Sequence, residues 1–219
     1  MYKINSPVQN HHLCAVTLLG NLVAKPDIRY RANPVSAITE LTIATSSKWL
    51  DKKTNTYKEW TSYHHVKVEG PLVEQALLTA EKGDIILVQG YLSNIKEKSH
   101  LSIVHATFIK KFNKGYTQTV NQIMCSGQLT SLAQVVTTPN NKTLAQMNIT
   151  INHQDYSIDK QCWQNHSVDR ELHVWGKQAL YLVEKAQIGD NVMIEGKLSY
   201  LATADKTQFI EAKIVHRLT

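Results

Sequence analysis

Alternation of apolar and polar residues is the main pattern in the first half of the chain and predicts β-strands. Apolar side chains recur at every second position, or in short buried runs, over residues 13–22, 35–46, 63–69, 85–90 and 101–110, which is typical of strands. A helical spacing interrupts them between the third and fourth strands, at Leu72, Val73, Ala76, Leu77 and Ala80. The predicted order is strand, strand, long loop, strand, short helix, strand, strand.

The second half of the chain repeats this order at an offset of about 106 residues. Gly20 falls on Gly127 within one residue of that offset, and Gly90 falls on Gly196. A second helical spacing occurs at the corresponding place, at Ala179, Leu180, Val183 and Ala186. Self-similarity at a steady offset indicates an internal repeat.

We therefore predict two copies of one domain, residues 1–112 and 120–219, joined by a polar linker at 113–119. So short a linker leaves limited freedom, and the two copies are expected to lie side by side. One large sandwich with chance glycine matches is the alternative. Agreement of order and spacing along the whole repeat disfavours it.

The order of elements in each copy indicates the fold. Five strands with one helix between the third and fourth are the order of the OB-fold, a Greek-key barrel that binds oligonucleotides or oligosaccharides on one face. The predicted fold class is all-β, with two tandem five-stranded OB-folds.

Charge is unevenly divided between the copies. The chain of 219 residues has a net charge of +6, of which residues 1–112 carry +5 and residues 113–219 carry +1. A basic excess favours a polyanionic partner. Phosphate neutralisation supplies most sequence-independent affinity for nucleic acid, so the first copy is the better candidate for strand contact.

Composition excludes several classes of protein. No apolar run is long enough to span a bilayer, and residues 1–9 lack the layout of a signal peptide. The cysteines lack a CxxC spacing and are expected to stay reduced, at Cys14, Cys125 and Cys162. We expect a soluble cytoplasmic protein without a metal or cofactor.

Catalysis is not expected either. The acidic residues of the first copy, Asp51, Glu59, Glu69 and Glu97, are scattered over different predicted elements, and no nucleophile or Gly-rich phosphate loop is visible. A nuclease built on such a barrel would need clustered carboxylates for a metal ion. The sequence therefore predicts a binding protein, not an enzyme.

Aromatic and basic side chains concentrate in the predicted long loop of the first copy. Trp49 and Tyr57 stand there among four lysines, Lys48, Lys52, Lys53 and Lys58. Flat rings for base stacking and cations for phosphates are what sequence-independent binding of a single strand requires. The loop is thus the main candidate site, and packing of Trp49 beneath its own loop is the alternative.

The first copy resembles the bacterial single-stranded-DNA-binding proteins. The shared motifs are Leu19-Gly20-Asn21-Leu22, Pro26-Asp27-Ile28-Arg29-Tyr30, Leu41-Thr42-Ile43-Ala44-Thr45, Trp49, Asp51-Lys52, Lys58-Glu59, Thr61, Tyr63-His64 and Gly70. Residues 83–112 look equally like the PriB-type primosomal proteins, which are relatives with one OB-fold per subunit. The second copy matches weakly, mainly through its glycines and Val174-Trp175-Gly176-Lys177.

The resemblance implies four stacking positions. The first aligns with Trp49 and the second with Tyr63; the third is Glu69 in the first copy but Trp175 in the second, and the fourth falls near Glu97. A carboxylate cannot stack on a base. The first copy should therefore bind more weakly than a domain with all four rings.

Further residues complete the candidate site. Arg29 and Arg31 either contact phosphate or solvate a turn, and the remaining candidates for nucleic-acid binding are Lys96, Lys98, Trp163 and Trp175. In the second copy the predicted long loop spans residues 153–166. His64 follows the second aromatic at a position that the family uses near the subunit contact; a strand histidine bonded to backbone is the equal alternative.

Together these features predict sequence-independent binding of single-stranded DNA, with RNA as a further partner that stacking alone does not distinguish. The resemblance implies a bacterial, nucleoid-associated protein that acts in replication, restart, recombination or mobile-element maintenance. The chain end at 211–219 lacks the acidic tail of the family, which favours a specialised or PriB-like relative. A homodimer would assemble four OB-folds. The alternative function is an assembly module of a primosome-like complex with replication or primosome proteins as partners.

Overall fold

In the computed structural model the described residues are 13–33, 35–51, 54–95, 98–137, 142–157, 161–203 and 206–218. The strands are β1 (Cys14–Leu22), β2 (Arg29–Ala32), β3 (Val35–Asp51), β4 (Thr56–Glu69), β5 (Ile85–Ile95), β6 (Lys98–Phe112), β7 (Val120–Leu129), β8 (Gln134–Thr137), β9 (Thr143–Ser157), β10 (Cys162–Trp175), β11 (Asn191–Tyr200) and β12 (Gln208–Leu218). The helices are α1 (Pro71–Ala76) and α2 (Lys177–Lys185).

Five strands of the first copy close into a barrel. β1 pairs with both β3 and β5, β3 pairs with β4, and β5 pairs with β6. β4 and β6 run parallel and complete the ring, while α1 connects β4 to β5. This is the predicted OB-fold order, with β2 added at the edge of β3.

The second copy has the same topology. β7 pairs with β9 and β11, β9 with β10, β11 with β12, and β10 runs parallel to β12. β8 lies at the edge of β9, and α2 connects β10 to β11. The prediction of an all-β chain with two tandem OB-folds is confirmed.

The two barrels share one continuous sheet. β1 and β7 pair antiparallel from Cys14 opposite Cys125 to Leu19 opposite Val120. Residues 113–119 connect β6 to β7 without a strand or helix. Because the ladder is formed by the first strand of each copy, the pairing relates the copies by an approximate two-fold axis.

Alternation along the strands produces the cores. Leu18, Ile43 and Val88 of the first barrel are fully buried, as are Ile123, Ile149 and Ile194 of the second. The repeated glycines Gly90 and Gly196 both occur where the strand register shifts. A Cβ at Gly90 would collide with the carbonyl oxygen of His105, so only glycine fits this bulge.

Three local predictions differ from the structure. The predicted long loops are largely strand, because β3 and β4, and likewise β9 and β10, continue well beyond the barrels. Their outer parts are largely exposed to solvent on both faces and so carry no hydrophobic alternation. Arg29 and Arg31 lie on a strand, β2, rather than in a turn. The helical spacing up to Ala80 exceeds α1, which ends at Ala76 and is followed by a turn.

Candidate nucleic-acid interface

The aromatic and basic segment of the first copy is a β-hairpin. β3 and β4 pair without interruption from Ile38 opposite Glu69 to Asp51 opposite Thr56. We call the outer part, residues 44–51 and 54–63, the first hairpin. Asn55 adopts a left-handed φ of 51° at its turn, a conformation that asparagine tolerates better than most residues. Trp49 and Tyr57 are therefore held on strands.

Strand alternation divides the aromatic side chains of the first hairpin between two faces. His64 and Val66 lie on the buried face of β4, so Trp60, at even spacing along β4, lies on that same face of the sheet. Tyr57 and Tyr63 lie on the opposite face. The single cluster expected from the sequence is thus two sets of rings on two faces.

The tryptophan face consists of Trp49 and Trp60. Lys58 stands opposite Trp49 and Ser47 opposite Trp60, which makes the two tryptophans diagonal neighbours. They are 46% and 57% exposed, so each ring leaves a large π-surface in contact with water. Trp60 was not among the predicted site residues, although its period-two spacing from His64 could have placed it beside Trp49.

The tyrosine face consists of Tyr57, Tyr63 and Lys48. Tyr57 is 79% exposed, and Tyr63 is exposed nearer the barrel. Lys48 also holds its ammonium 5.6 Å from the ring centroid of Tyr116, which belongs to the connection between the copies. Tyr116 is a second aromatic residue that sequence reasoning did not assign to the site.

The predicted cations whose side chains the structure describes are paired with carboxylates. Lys48 lies 3.6 Å from Glu59 across the hairpin, and Lys58 pairs with Asp51. On the β2 side, Arg29 bonds Asp27 at 2.7 Å and Arg31 bonds Glu69 at 3.1 Å. Ion pairs that are exposed on both sides, such as Lys48–Glu59 and Arg29–Asp27, contribute only about 0–1 kcal/mol each. A phosphate group could therefore replace the carboxylate at little cost.

Some predicted residues fall outside what the structure describes. These are Lys52, Lys53, Lys96 and Glu97, and also the side chain of Lys98. Their part in the site stays a prediction.

Glu69 occupies the position where the resemblance places a third aromatic residue. Its carboxylate binds Lys67 at 2.9 Å and lies 3.5 Å from Nε2 of His105, in addition to Arg31. Partial burial raises the pKa of Glu69, but these cations outweigh it and the pKa is lowered overall. Glu69 therefore acts as an anionic centre within the protein and offers no stacking surface.

The corresponding hairpin of the second copy, which we call the second hairpin, is formed by residues 150–157 and 161–169. Tyr156 stands directly opposite Trp163, and their rings meet edge to face with centroids 5.6 Å apart. Both rings are exposed. Trp175 lies at the far end of β10 and is partly exposed. The second hairpin thus offers an aromatic pair, and its described residues, 150–157 and 161–169, include no lysine or arginine.

His64 is completely buried and faces the second copy. Its Nε2 lies 2.8 Å from the hydroxyl of Thr45, and its Nδ1 lies 3.1 Å from the hydroxyl of Tyr200. The Gln208 amide donates to that same hydroxyl. Burial, with the nearby charge of His65, lowers the pKa of His64 to about 4. The imidazole is neutral at pH 7 and joins the two copies of one chain.

Arg170 is the counterpart of His64 in the second copy, 106 residues later. It is only 5% exposed, and its Nη1 donates to Oδ1 of Asn94 in the first copy at 3.1 Å. Asn94 is likewise the counterpart of Tyr200. Burial lowers the pKa of Arg170 to about 10, which still leaves the guanidinium charged at neutral pH.

Within the described ranges, no three His, Cys, Asp or Glu side chains are grouped so that they could hold a metal ion. Neither α1 nor α2 is long and apolar enough to cross a membrane.

Two barrels of this topology, each extended by a hairpin with exposed rings, define a tandem OB-fold protein. The sequence pattern described as "Single-strand binding protein family" matches residues 13–104 and 120–217, one match in each copy. The chain belongs to this family.

Two solved structures are similar over nearly the whole chain. The wild-type single-stranded DNA binding protein from Thermus aquaticus is 25% identical with a TM-score of 0.76, over 94% of this chain and 93% of its own. A deletion mutant of that protein is 24% identical with a TM-score of 0.77, over 95% and 96%. PriB from Ralstonia solanacearum also matches, at 16% identity and a TM-score of 0.38, over 46% of this chain and 99% of its own.

Proposed function

We propose that the chain binds single-stranded DNA without reading its sequence, and that the first hairpin makes the main contact. The observation that carries the proposal is the set of four exposed rings on that hairpin, Trp49, Tyr57, Trp60 and Tyr63. Every base has a π-face, so stacking on such rings is tolerant of sequence. Membership of the single-strand binding protein family supports the same conclusion.

The phosphates bind to Lys48 and Lys58, with Arg29 and Arg31 at the edge of the barrel. All four are paired with carboxylates in the free protein. The strand exchanges these partners for phosphate oxygens, and each exchange releases a counterion from the DNA. Affinity therefore falls as salt rises.

The second copy extends the binding path. Trp163 and Tyr156 provide an exposed aromatic pair, and Trp175 provides a third ring. The net charge of residues 113–219 is only +1. Its contribution therefore comes from stacking more than from phosphate contact, and the first copy supplies most of the affinity.

Two chains assemble into a homodimer with four OB-folds. In each chain the first domain ends at residue 112 and the second begins at residue 120. The outer face of the shared sheet supports this, since Leu19 and Leu87 of the first copy and Val120 and Met124 of the second point away from both cores and are only partly covered. Partly exposed apolar side chains grouped on a sheet face are typical of interfaces. Multi-angle light scattering should give the mass of two chains, and a concentration-independent monomer would contradict this assembly.

Tryptophan fluorescence titration tests the proposed function. Oligo-dT should quench the fluorescence at low salt, duplex DNA should not compete at equal nucleotide concentration, and oligo-rU measures the preference between DNA and RNA. Failure to bind oligo-dT, or a preference for duplex DNA, would contradict the proposal. Quenching by a replication or primosome protein without quenching by oligo-dT would favour the assembly module instead.

A further inference from the structure

The connection between the copies, residues 113–119, is fastened to the first barrel at three points. Lys114 forms an ion pair with Glu81 at 2.8 Å, and the carbonyl of Gly115 accepts a hydrogen bond from Asn21 at 3.2 Å. Thr119 bonds the backbone of Ser46 twice: its hydroxyl accepts from the N–H at 3.0 Å and donates to the carbonyl at 2.7 Å.

The attachment at Thr119 brings the connection to the first hairpin. The pairing of β3 with β1 ends at Ala44, so the backbone groups of Ser46 on that side are available to a different partner. The Thr119 hydroxyl supplies both the donor and the acceptor that a neighbouring strand would have supplied. The connection therefore runs beside the open edge of the first hairpin.

Tyr116 lies between these attachment points and is 85% exposed. The Lys48 ammonium lies 5.6 Å from the centroid of its ring, and Lys48 belongs to the tyrosine face with Tyr57. A ring and a cation are thus held together on a fastened backbone. This combination is what stacking of a base next to a phosphate requires.

We propose that Tyr116 is an additional base-stacking residue, which makes the connection between the copies part of the binding surface for single-stranded DNA. This inference rests on the proposed function. A ring on a fastened segment loses less conformational freedom on binding than one on a free linker. Since residue 120 begins β7, the connection leads directly from the first hairpin to the second copy.

The first test compares Tyr116→Ala with Tyr116→Phe, using fluorescence anisotropy of labelled oligo-dT. The alanine variant should lose about fivefold or more in affinity, as expected for one lost base stack. The phenylalanine variant keeps the ring and should stay within about twofold of wild type. Tyr181→Ala, which removes an exposed ring from α2, is the matched control and should leave affinity unchanged.

Thr119→Val tests the role of the attachment. Valine keeps the shape of threonine but loses both hydrogen bonds to Ser46. Thr119→Val should lower the affinity for oligo-dT by less than Tyr116→Ala does. The double variant Thr119→Val/Tyr116→Ala should bind no worse than Tyr116→Ala alone, because both changes act through the same ring. Independent losses that multiply would overturn this linkage.

Photo-crosslinking to oligonucleotides that contain 5-iododeoxyuridine tests the contact directly. Trypsin releases residues 115–142 as one peptide, in which Tyr116 is the single aromatic residue. A crosslink in this peptide that disappears in Tyr116→Ala is expected. The outcome that separates the two proposals is one in which wild type binds oligo-dT and Trp49→Ala weakens binding. If Tyr116→Ala then neither weakens binding nor abolishes a crosslink, the inference fails and the proposed function stands. Absence of wild-type binding overturns both.

Discussion

The Nδ1 atom of His64 in the first copy lies 3.1 Å from the hydroxyl of Tyr200 in the second copy. At the symmetry-equivalent place, Nη1 of Arg170 lies 3.1 Å from Oδ1 of Asn94. Each contact joins the two copies, yet the two differ in chemistry. Pairing of two first copies would place His64 opposite Asn94, and pairing of two second copies would place Arg170 opposite Tyr200. Neither arrangement would reproduce the contacts observed here. The junction is therefore built for one first copy and one second copy.

Tyr200→Phe should destabilise the whole chain. The change leaves Nδ1 of buried His64 and the amide of Gln208 without the hydroxyl that both contact. The free energy of unfolding should fall by about 1–3 kcal/mol, measured by urea denaturation at pH 7. Tyr57→Phe removes a hydroxyl from a highly exposed ring and is the control. Equal stability of the two variants would show that the junction contact contributes nothing.

His64 should make stability depend on pH in a defined window. Burial lowers its pKa in the folded chain to about 4 from the ordinary 6.5, so between these values the unfolded chain binds more protons. Stability is therefore fully present above pH 6.5 and is lost as the pH falls towards 4, by about 3 kcal/mol in total for this group.

Unfolding free energies at pH 7 and pH 4.5 check this dependence. His64→Gln cannot titrate and should flatten the difference between the two values, even if the variant is less stable at both. His216→Gln, a change at an exposed histidine, should leave the difference as it is in wild type. A His64→Gln chain with an unchanged difference would contradict the assignment.

Trp60→Ala should weaken binding of oligo-dT as much as Trp49→Ala. The two rings are diagonal neighbours on the tryptophan face, and one lost stack corresponds to about 1–3 kcal/mol. Anisotropy titrations measure the loss, and Trp60→Phe, which keeps a ring, should restore most of the affinity. Full affinity in Trp60→Ala together with weak binding by Trp49→Ala would show that the DNA strand does not reach Trp60.

Asp51→Asn and Glu59→Gln should strengthen binding. Each change removes the carboxylate that pairs with Lys58 or Lys48 in the free protein, so the lysine meets a phosphate without a competing anion. Affinity at low salt should rise roughly two- to fivefold per change, and the salt dependence should steepen. Glu184→Gln frees Lys185 on α2 in the same way and should change neither. Weaker binding by the first two variants would mean that the ion pairs position the lysines.

The hydrophobic pattern was sufficient to predict the barrels. Residues such as Leu18, Ile43 and Val88 alternate with more exposed residues because one face of each strand is buried, and this period of two is visible in the amino-acid sequence. The ends of the long hairpins were not predictable in this way. Around Trp49 and Tyr57 both faces meet water, so no period marks the strands there. Only an extension of the period-two spacing from His64 would have placed Trp60 beside Trp49.

The junction between the copies illustrates the other limit. His64 could be identified at a contact position by resemblance, but its partner Tyr200 lies 136 residues away. Likewise, nothing near Tyr116 in the sequence indicates that Thr119 fastens the connection to Ser46. Such contacts depend on which strand edges remain open once the sheet has formed.

Local periodicity and composition are enough to establish the repeat, the OB-fold of each copy and the concentration of basic charge in the first copy. Three other properties depend on the folded chain: β1 and β7 join the barrels into one sheet, the lysines of the first hairpin are paired with carboxylates, and its rings occupy two faces. These properties follow from strand register, since a shift of one residue moves every side chain to the opposite face.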